Sequence, residues 1–275
     1  MKTRIRKGHG AYMLRQFFKY IFQSIAGMIG ISVYILADTF FISVHSGADG
    51  LAVLNLILPV YGLVYAIGAM IGIGSATRFG INRAKGENTD HYVLQSVFWS
   101  VLCSVPFIIT GIVAPEKFLH LLGADAGLTA LGKSYLRIML ITTPLFMANY
   151  TFTAFARNDQ GTSTAMTGAI SASLFNIVFD YIFMFPMKLG LAGAALATAI
   201  SPAITMAICT THYLGKKNHV GFRWVRPSIR HLISCCQLGI SAFVGELSSA
   251  IITIIFNMLL LGIAGNVSVA AYGVV

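Results

Sequence analysis

In a chain of 275 residues, 56% hydrophobic side chains against 10% charged ones and a mean hydropathy of +0.77 exclude an ordinary soluble domain and point to a polytopic membrane protein. The net charge of +10 does not mark a nucleic-acid binder, because the basic residues fall in short segments between long apolar runs, with no basic stripe interleaved with stacking aromatics. Four cysteines (Cys103, Cys209, Cys235 and Cys236) lack zinc-site or disulfide-framework spacing and read as packing residues, and the seven histidines form no HxxxH pair.

The chain opens Met1-Lys2-Thr3-Arg4-Ile5-Arg6-Lys7, which has the charge of a signal-peptide amino end. The apolar run behind it is too long for a signal and has no small-residue cleavage site, so it is kept as a first span. Apolar runs then follow at roughly 15–44, 51–79, 92–114, 128–155, 163–187, 190–214 and 232–263, with an eighth beginning near Val267. A helix crosses a bilayer with about 20 apolar residues, and no water is present there to satisfy exposed backbone, so an all-α bundle of seven spans and a stub is expected.

Basic residues orient the bundle. The amino end, 78–85, Arg157 and 216–230 carry 15 Lys and Arg, whereas the alternate connections carry Lys117 and Lys188 only. The amino terminus and 216–230 are therefore expected in the cytoplasm. The segment 215–231 is also the longest polar break and divides the chain into 1–214 and 232–275. Arg157-Asn158-Asp159-Gln160-Gly161 reads as a solvated turn at the same face. Pro59, inside span two, is expected to kink its helix. Gly72-Ile73-Gly74 lacks the third glycine and the preceding strand of a dinucleotide site, and close helix packing explains these glycines better.

Two spans carry carboxylates at membrane depth. Asp38 lies within Ile35-Leu36-Ala37-Asp38-Thr39-Phe40-Phe41, and Asp180 follows Asn176 by four residues, which puts both side chains on one helix face. At 1.5 Å per residue, Asp38, Asp180 and Thr198 lie about 9, 10 and 12 Å below the outer ends of spans one, five and six. A carboxylate in a bilayer costs roughly 2.5 to 3.5 kcal/mol on insertion scales, so one kept there points to an ion site or a relay. Two carboxylates, an amide and a hydroxyl at one level form a hard-oxygen set suited to a proton or to Na+. Taken singly, Asn176 and Thr198 also suit plain helix-to-helix hydrogen bonding.

The motifs Ala37-Asp38-Thr39-Phe40-Phe41-Ile42, Gly47-Ala48-Asp49-Gly50-Leu51-Ala52, Gly72-Ile73-Gly74-Ser75-Ala76-Thr77-Arg78-Phe79, Asn176-Ile177-Val178-Phe179-Asp180-Tyr181 and Gly193-Ala194-Ala195-Leu196-Ala197-Thr198 run along most of the chain. Through them it resembles the multidrug and toxic compound extrusion (MATE) transporters, most closely their MepA-like bacterial branch. The resemblance implies an all-α six-helix amino-terminal lobe, followed by one helix and a stub of a second lobe. It also implies a Na+- or H+-coupled antiporter that exports amphipathic, often cationic compounds by alternating access, in a bacterial or archaeal inner membrane. No further cofactor, nucleic acid or enzymatic activity is implied; the partners are small-molecule substrates, the bilayer and a second lobe.

The family's coupling site matches Asp38, Asn176, Asp180 and Thr198. A family acidic position matches Glu246, as a contact for a cationic substrate or as a second coupling acid. Pro202 and Ser241 depart from the family pattern. The chain ends within an apolar run, so it is expected to be truncated and unable to export alone. A weak repeat, displaced by 218 residues, aligns Gly47 with Gly265 and Ala52 with Ala270 but sets Asp38 on Phe256, so Glu246 is not its counterpart. The rival readings are a related flippase for lipid-linked precursors, which would need several cationic residues along its cavity, and a channel or an enzyme. Neither charged rings nor a nucleophile with a base is present to support these last two.

Overall fold

The computed structural model describes residues 2–215 and 218–264, and the residues 265–275, with the start of the expected eighth span and two of the aligned repeat positions, lie outside them. Among the described residues eight helices follow in order: α1 (Lys2–Ala84), α2 (Tyr92–Val113), α3 (Pro115–Leu121), α4 (Ala126–Ile141), α5 (Thr143–Asn158), α6 (Thr162–Met184), α7 (Leu191–Tyr213) and α8 (Ile229–Ala264). No strand occurs among the described residues.

At 83 residues, α1 laid straight would be about 125 Å long, four times a bilayer's hydrocarbon thickness. It breaks at Gly47, whose backbone (φ 60°, ψ −148°) lies in a region essentially restricted to glycine. The sequence predicts a loop between spans one and two. One glycine makes the reversal instead, and Tyr34 before it and Tyr65 after it line the same cavity. Pro59 lies inside the second limb, where the backbone stays helical; the non-helical residue within α1 is Gly47.

The predicted span 128–155 is not one straight helix. It is α4 and α5, bent by 46° around Thr142. Pro144 has no N–H to offer the Leu140 carbonyl one turn back, and the Thr143 hydroxyl donates to that carbonyl at 2.8 Å in its place. With α1 divided at Gly47 and α4–α5 taken as one, seven segments among the described residues are long and apolar enough to cross a membrane. α3 is a short helix that lies outside the predicted spans, tied to α4 by the Lys133–Glu116 ion pair at 2.5 Å.

The helices show a membrane pattern, polar inside and apolar outside. On α2, Ser96, Ser100 and Ser104 are buried, whereas Val101, Leu102, Val105 and Ile109 are exposed. Lipid solvates the apolar side, so burial selects small side chains that let helices approach. The closest approach joins α8 to the second limb of α1, where a side chain at Gly74 would strike the Cys235 carbonyl and one at Gly239 the Met70 carbonyl. Asn257 Nδ2 also donates to the Asn55 carbonyl at 2.8 Å. α8, assigned by sequence to a second unit, is thus packed along the length of that limb. Of the cysteines, Cys209 and Cys235 are buried, Cys103 and Cys236 are half-buried, and all four are free.

Candidate functional site

The first limb of α1 runs alongside α6 in a fixed register. Gly30 meets Ile170 and Ser173, and the Phe41 ring meets Tyr181 at 6.1 Å, so Asp38 faces the turn that carries Asp180. α7 packs antiparallel to α6 and brings Thr198 to the same level. Asn176 and Asp180 are 0% exposed, Asp38 7% and Thr198 8%.

The Asn176 Nδ2 to Thr198 Oγ1 separation is 3.2 Å. With the amide turned over, its nitrogen donates to Asp180 Oδ2 at 3.0 Å and its oxygen accepts from Thr198 Oγ1 at 3.2 Å, which satisfies both ends. The Asp38 and Asp180 carboxylates lie close enough to act on each other electrostatically. Oδ1 of each is buried with no hydrogen-bond partner among the described residues, and no Lys or Arg forms an ion pair with either. Two unpartnered carboxylate oxygens beside an amide and a hydroxyl are the donors that a hard cation or a shared proton needs. Among the described residues no three His, Cys, Asp or Glu converge on a softer metal site.

The site borders a cavity of about 530 Å³ that reaches from Tyr34 and Thr198 toward Arg157 and Asn158 at the basic end of the bundle. Pro202, noted as a departure from the family pattern, lines its wall. Tyr34, Tyr65 and Tyr150, which the sequence reading passed over, line the wall, and Tyr61 and Tyr135 lie outside that lining. Tyr34 lies in the field of both carboxylates, and Tyr61 and Tyr135, with hydroxyls 3.3 Å apart, lie in that of Asp38. Tyr65 and Tyr150, ring centroids 5.7 Å apart, lie in the field of Glu246. Glu246 is thus near enough to Tyr65 and Tyr150 for its charge to act on them, although it is not one of the residues that line the cavity. The spacing Tyr34 to Asp38 and Tyr61 to Tyr65, one turn each, is the sequence signal that could have revealed them.

The turn at 157–161 corrects the expectation of a solvated loop. Asp159 is buried, its side chain 1% exposed. It accepts from Arg83 Nη1 at 2.7 Å, from the His219 backbone N–H at 3.0 Å and from His212 Nε2 at 3.1 Å, with His219 Nδ1 at 3.3 Å. Burial alone would raise its carboxyl, but the hydrogen bonds from His219, Arg83 and His212 outweigh it and hold the group below its usual range. The loop folds this way because α1, α7 and the segment after α7 each deliver a donor to the end of α5.

Comparison with known proteins agrees with this architecture. The multidrug export protein MepA of Staphylococcus saprophyticus is 28% identical over 88% of this chain, and that of Staphylococcus aureus is 24% identical over the same share. In each case the chain spans about half, 54%, of the relative's length. The solved structure of the MATE multidrug transporter DinF-BH in complex with R6G superposes with a TM-score of 0.83 at 24% identity, covering 92% of this chain and 58% of that one. A crystal structure of MATE in the bent conformation gives 0.75 at 26%, with the same coverage. A sequence model of the family described as MatE matches residues 24–182, more than half of the chain, and the protein therefore belongs to the MatE family of multi-pass membrane transporters.

Proposed function

We propose that the chain supplies the cation-coupled lobe of an exporter of amphipathic, often cationic small molecules, working by alternating access with a second lobe across the cavity. The observation that carries this reading is the buried Asp38–Asp180 pair, with one unpartnered oxygen on each carboxylate, at the border of a 530 Å³ cavity. Two carboxylates so close in a low-dielectric bundle repel each other when both are ionised, and a single Na+ or proton relieves that repulsion. Loading and unloading the ion therefore changes how tightly the first limb of α1 sits on α6, and this couples ion flow to the shape of the cavity. The aromatic wall supplies broad apolar contact, and Glu246 beside Tyr65 and Tyr150 supplies a negative charge for a cationic substrate.

The basic end of the bundle is assigned to the cytoplasm of a cell (inner) membrane, with the amino terminus on that side, by the charge bias of its connections. Cation binding is tested on the purified chain by titrating Na+ at fixed pH and following carboxyl protonation by infrared spectroscopy. Binding of either ion that disappears in Asp38→Asn and Asp180→Asn supports the reading. Identical titrations of the variants and the unsubstituted chain overturn it. Growth protection against cationic dyes, set beside rescue of envelope synthesis, separates export from lipid-precursor flipping.

A further inference from the structure

The segment between α7 and α8 is more than a tether. It forms an extended strap over residues 218–228, fastened to the bundle by its backbone. The His219 N–H donates to Asp159, the Arg223 N–H donates to the Asp90 carbonyl at 2.9 Å, and Gln95 Nε2 donates to the Arg226 carbonyl at 3.5 Å. Val220 is buried beneath it. With the backbone held, the side chains point outward: Arg223, Trp224, Val225 and Arg226 are exposed, as are Ile229 and Arg230 at the start of α8. The Trp224 ring rests against Phe98 at 5.9 Å, six residues into α2, which places the indole about 9 Å along that helix from its first residue.

Guanidinium groups interleaved with an indole and branched apolar side chains, at that depth on a membrane helix, match the boundary between headgroups and acyl chains. Water alone would leave the apolar members of the strap without a partner. The hydrocarbon core alone would leave the arginines without one. We propose that the strap is a lipid-recognition surface: Arg223, Arg226 and Arg230 take the phosphates of anionic phospholipids, and Trp224 and Ile229 seat among the upper acyl carbons. Arginine's planar fork suits a phosphate diester, and each basic residue near a membrane surface adds attraction to anionic lipid. Because the same strap is tied to Asp159 and opens into α8, lipid bound there also fixes where α8 begins.

The chain has two tryptophans, so Trp99→Phe leaves Trp224 as its single indole reporter. The full chain carrying this change is reconstituted in phosphocholine vesicles containing an equal fraction of brominated phosphatidylglycerol or brominated phosphatidylcholine. Trp224 fluorescence should be quenched about twofold or more in excess by the anionic lipid, and that excess should shrink at high salt. Arg223→Gln with Arg226→Gln and Arg230→Gln should abolish the excess, and the corresponding Lys substitutions should keep most of it. Trp224→Phe, which leaves Trp99 on α2, serves in each background to show that the bundle is embedded. Equal quenching by the two lipids, absence of quenching, or loss of the excess on adding millimolar inorganic phosphate would each overturn the proposal.

Discussion

Asp159 and Asp180 are both buried, 2% and 0% exposed, yet their surroundings are opposites. Asp159 gathers an arginine, two histidines and a backbone N–H from three separate parts of the chain. Asp180 has an amide within reach of Oδ2, no partner on Oδ1 among the described residues, and a second carboxylate for a neighbour. A fold that needs a buried charge only for architecture surrounds it with donors, as at Asp159. A site left short of donors and next to like charge costs stability, and it is retained where an exchangeable ion completes it. If the proposed ion site is right, the difference separates a structural carboxylate from a working one more sharply than depth or burial does.

The largest expected effect comes from breaking the satisfied site. Asp159→Ala removes the acceptor shared by α1, α7 and the strap, and breaking a buried pair from one side costs about 3 to 5 kcal/mol. Arg83 and His219 are partly exposed and can turn to water, so a loss of about 2 kcal/mol is expected here, read as a lowered unfolding midpoint in detergent and faster proteolysis near residue 219. The pH dependence has a definite sign. Because the folded-state carboxyl lies below its ordinary value, its contribution is fully present above the ordinary carboxylate range near 4 and is lost as pH falls below it. Asp159→Asn should flatten that acid limb. An unchanged acid limb would show that Asp159 does not hold the strap.

Next comes the hinge that sets the two limbs of α1 around the cavity. A non-glycine residue held in the Gly47 conformation costs about 1 to 3 kcal/mol. No atom beyond the adjoining backbone lies within 4 Å of where a side-chain carbon would start, so the cost is backbone strain, and Gly47→Ala and Gly47→Ser, neither of them branched at Cβ, should lose similar amounts. If serine loses over about 1 kcal/mol more than alanine, the turn is packed and steric repulsion has been mistaken for strain.

These two aspartates also show where the sequence was legible. Asp38 and Asp180 stood out because each interrupts a long apolar run, and Asn176 followed from its i, i+4 spacing. The seven segments of membrane-spanning length followed from run length alone. Asp159 was read as solvated because it sits in a short polar turn, and its donors Arg83, His212 and His219 are 76, 53 and 60 residues away, beyond any local pattern. The tyrosine wall was hidden for a related reason: an aromatic residue in an apolar span looks the same whether it faces lipid or a cavity. The bend at Thr142 was written in Pro144, but Pro59 and Pro106 lie inside helices as well, and proline alone did not say which span would break.

A milder test compares the neutral members of the site. Thr198→Ala removes the hydroxyl that faces the Asn176 amide and leaves the carboxylates untouched, so a loss of about 1 kcal/mol is expected, with Thr198→Ser close to neutral. Ion affinity should weaken in the same order, since one neutral ligand is lost and the site's charge is unchanged. Loss of ion binding in Thr198→Ala as complete as that in the aspartate variants would mean that the hydroxyl, and not the charge pair, dominates the site.

The smallest expected change in stability is the most telling. Asp180→Asn keeps the shape, lets the new amide pair with Asn176 or Asp38, and removes a like charge from beside Asp38. Relief of that repulsion offsets any hydrogen bond disturbed, so the unfolding midpoint without added ion should stay within about 1 kcal/mol of the parent or rise. What should disappear is the response to the ion. An ion that binds only the folded chain stabilises the parent by RT ln(1 + [ion]/Kd), about 2.7 kcal/mol at a hundredfold excess over Kd, and the variant should show none of this gain. Measuring both midpoints across a Na+ series at fixed pH and a pH series without Na+ distinguishes the two coupling ions as well, because the acid limb of Asp159 is common to parent and variant and only the difference between them reports the ion that the pair binds. If Asp180→Asn instead loses 2 kcal/mol or more in every condition, as expected for Asp159→Ala, then Asp180 is an architectural carboxylate and the contrast between the two aspartates fails.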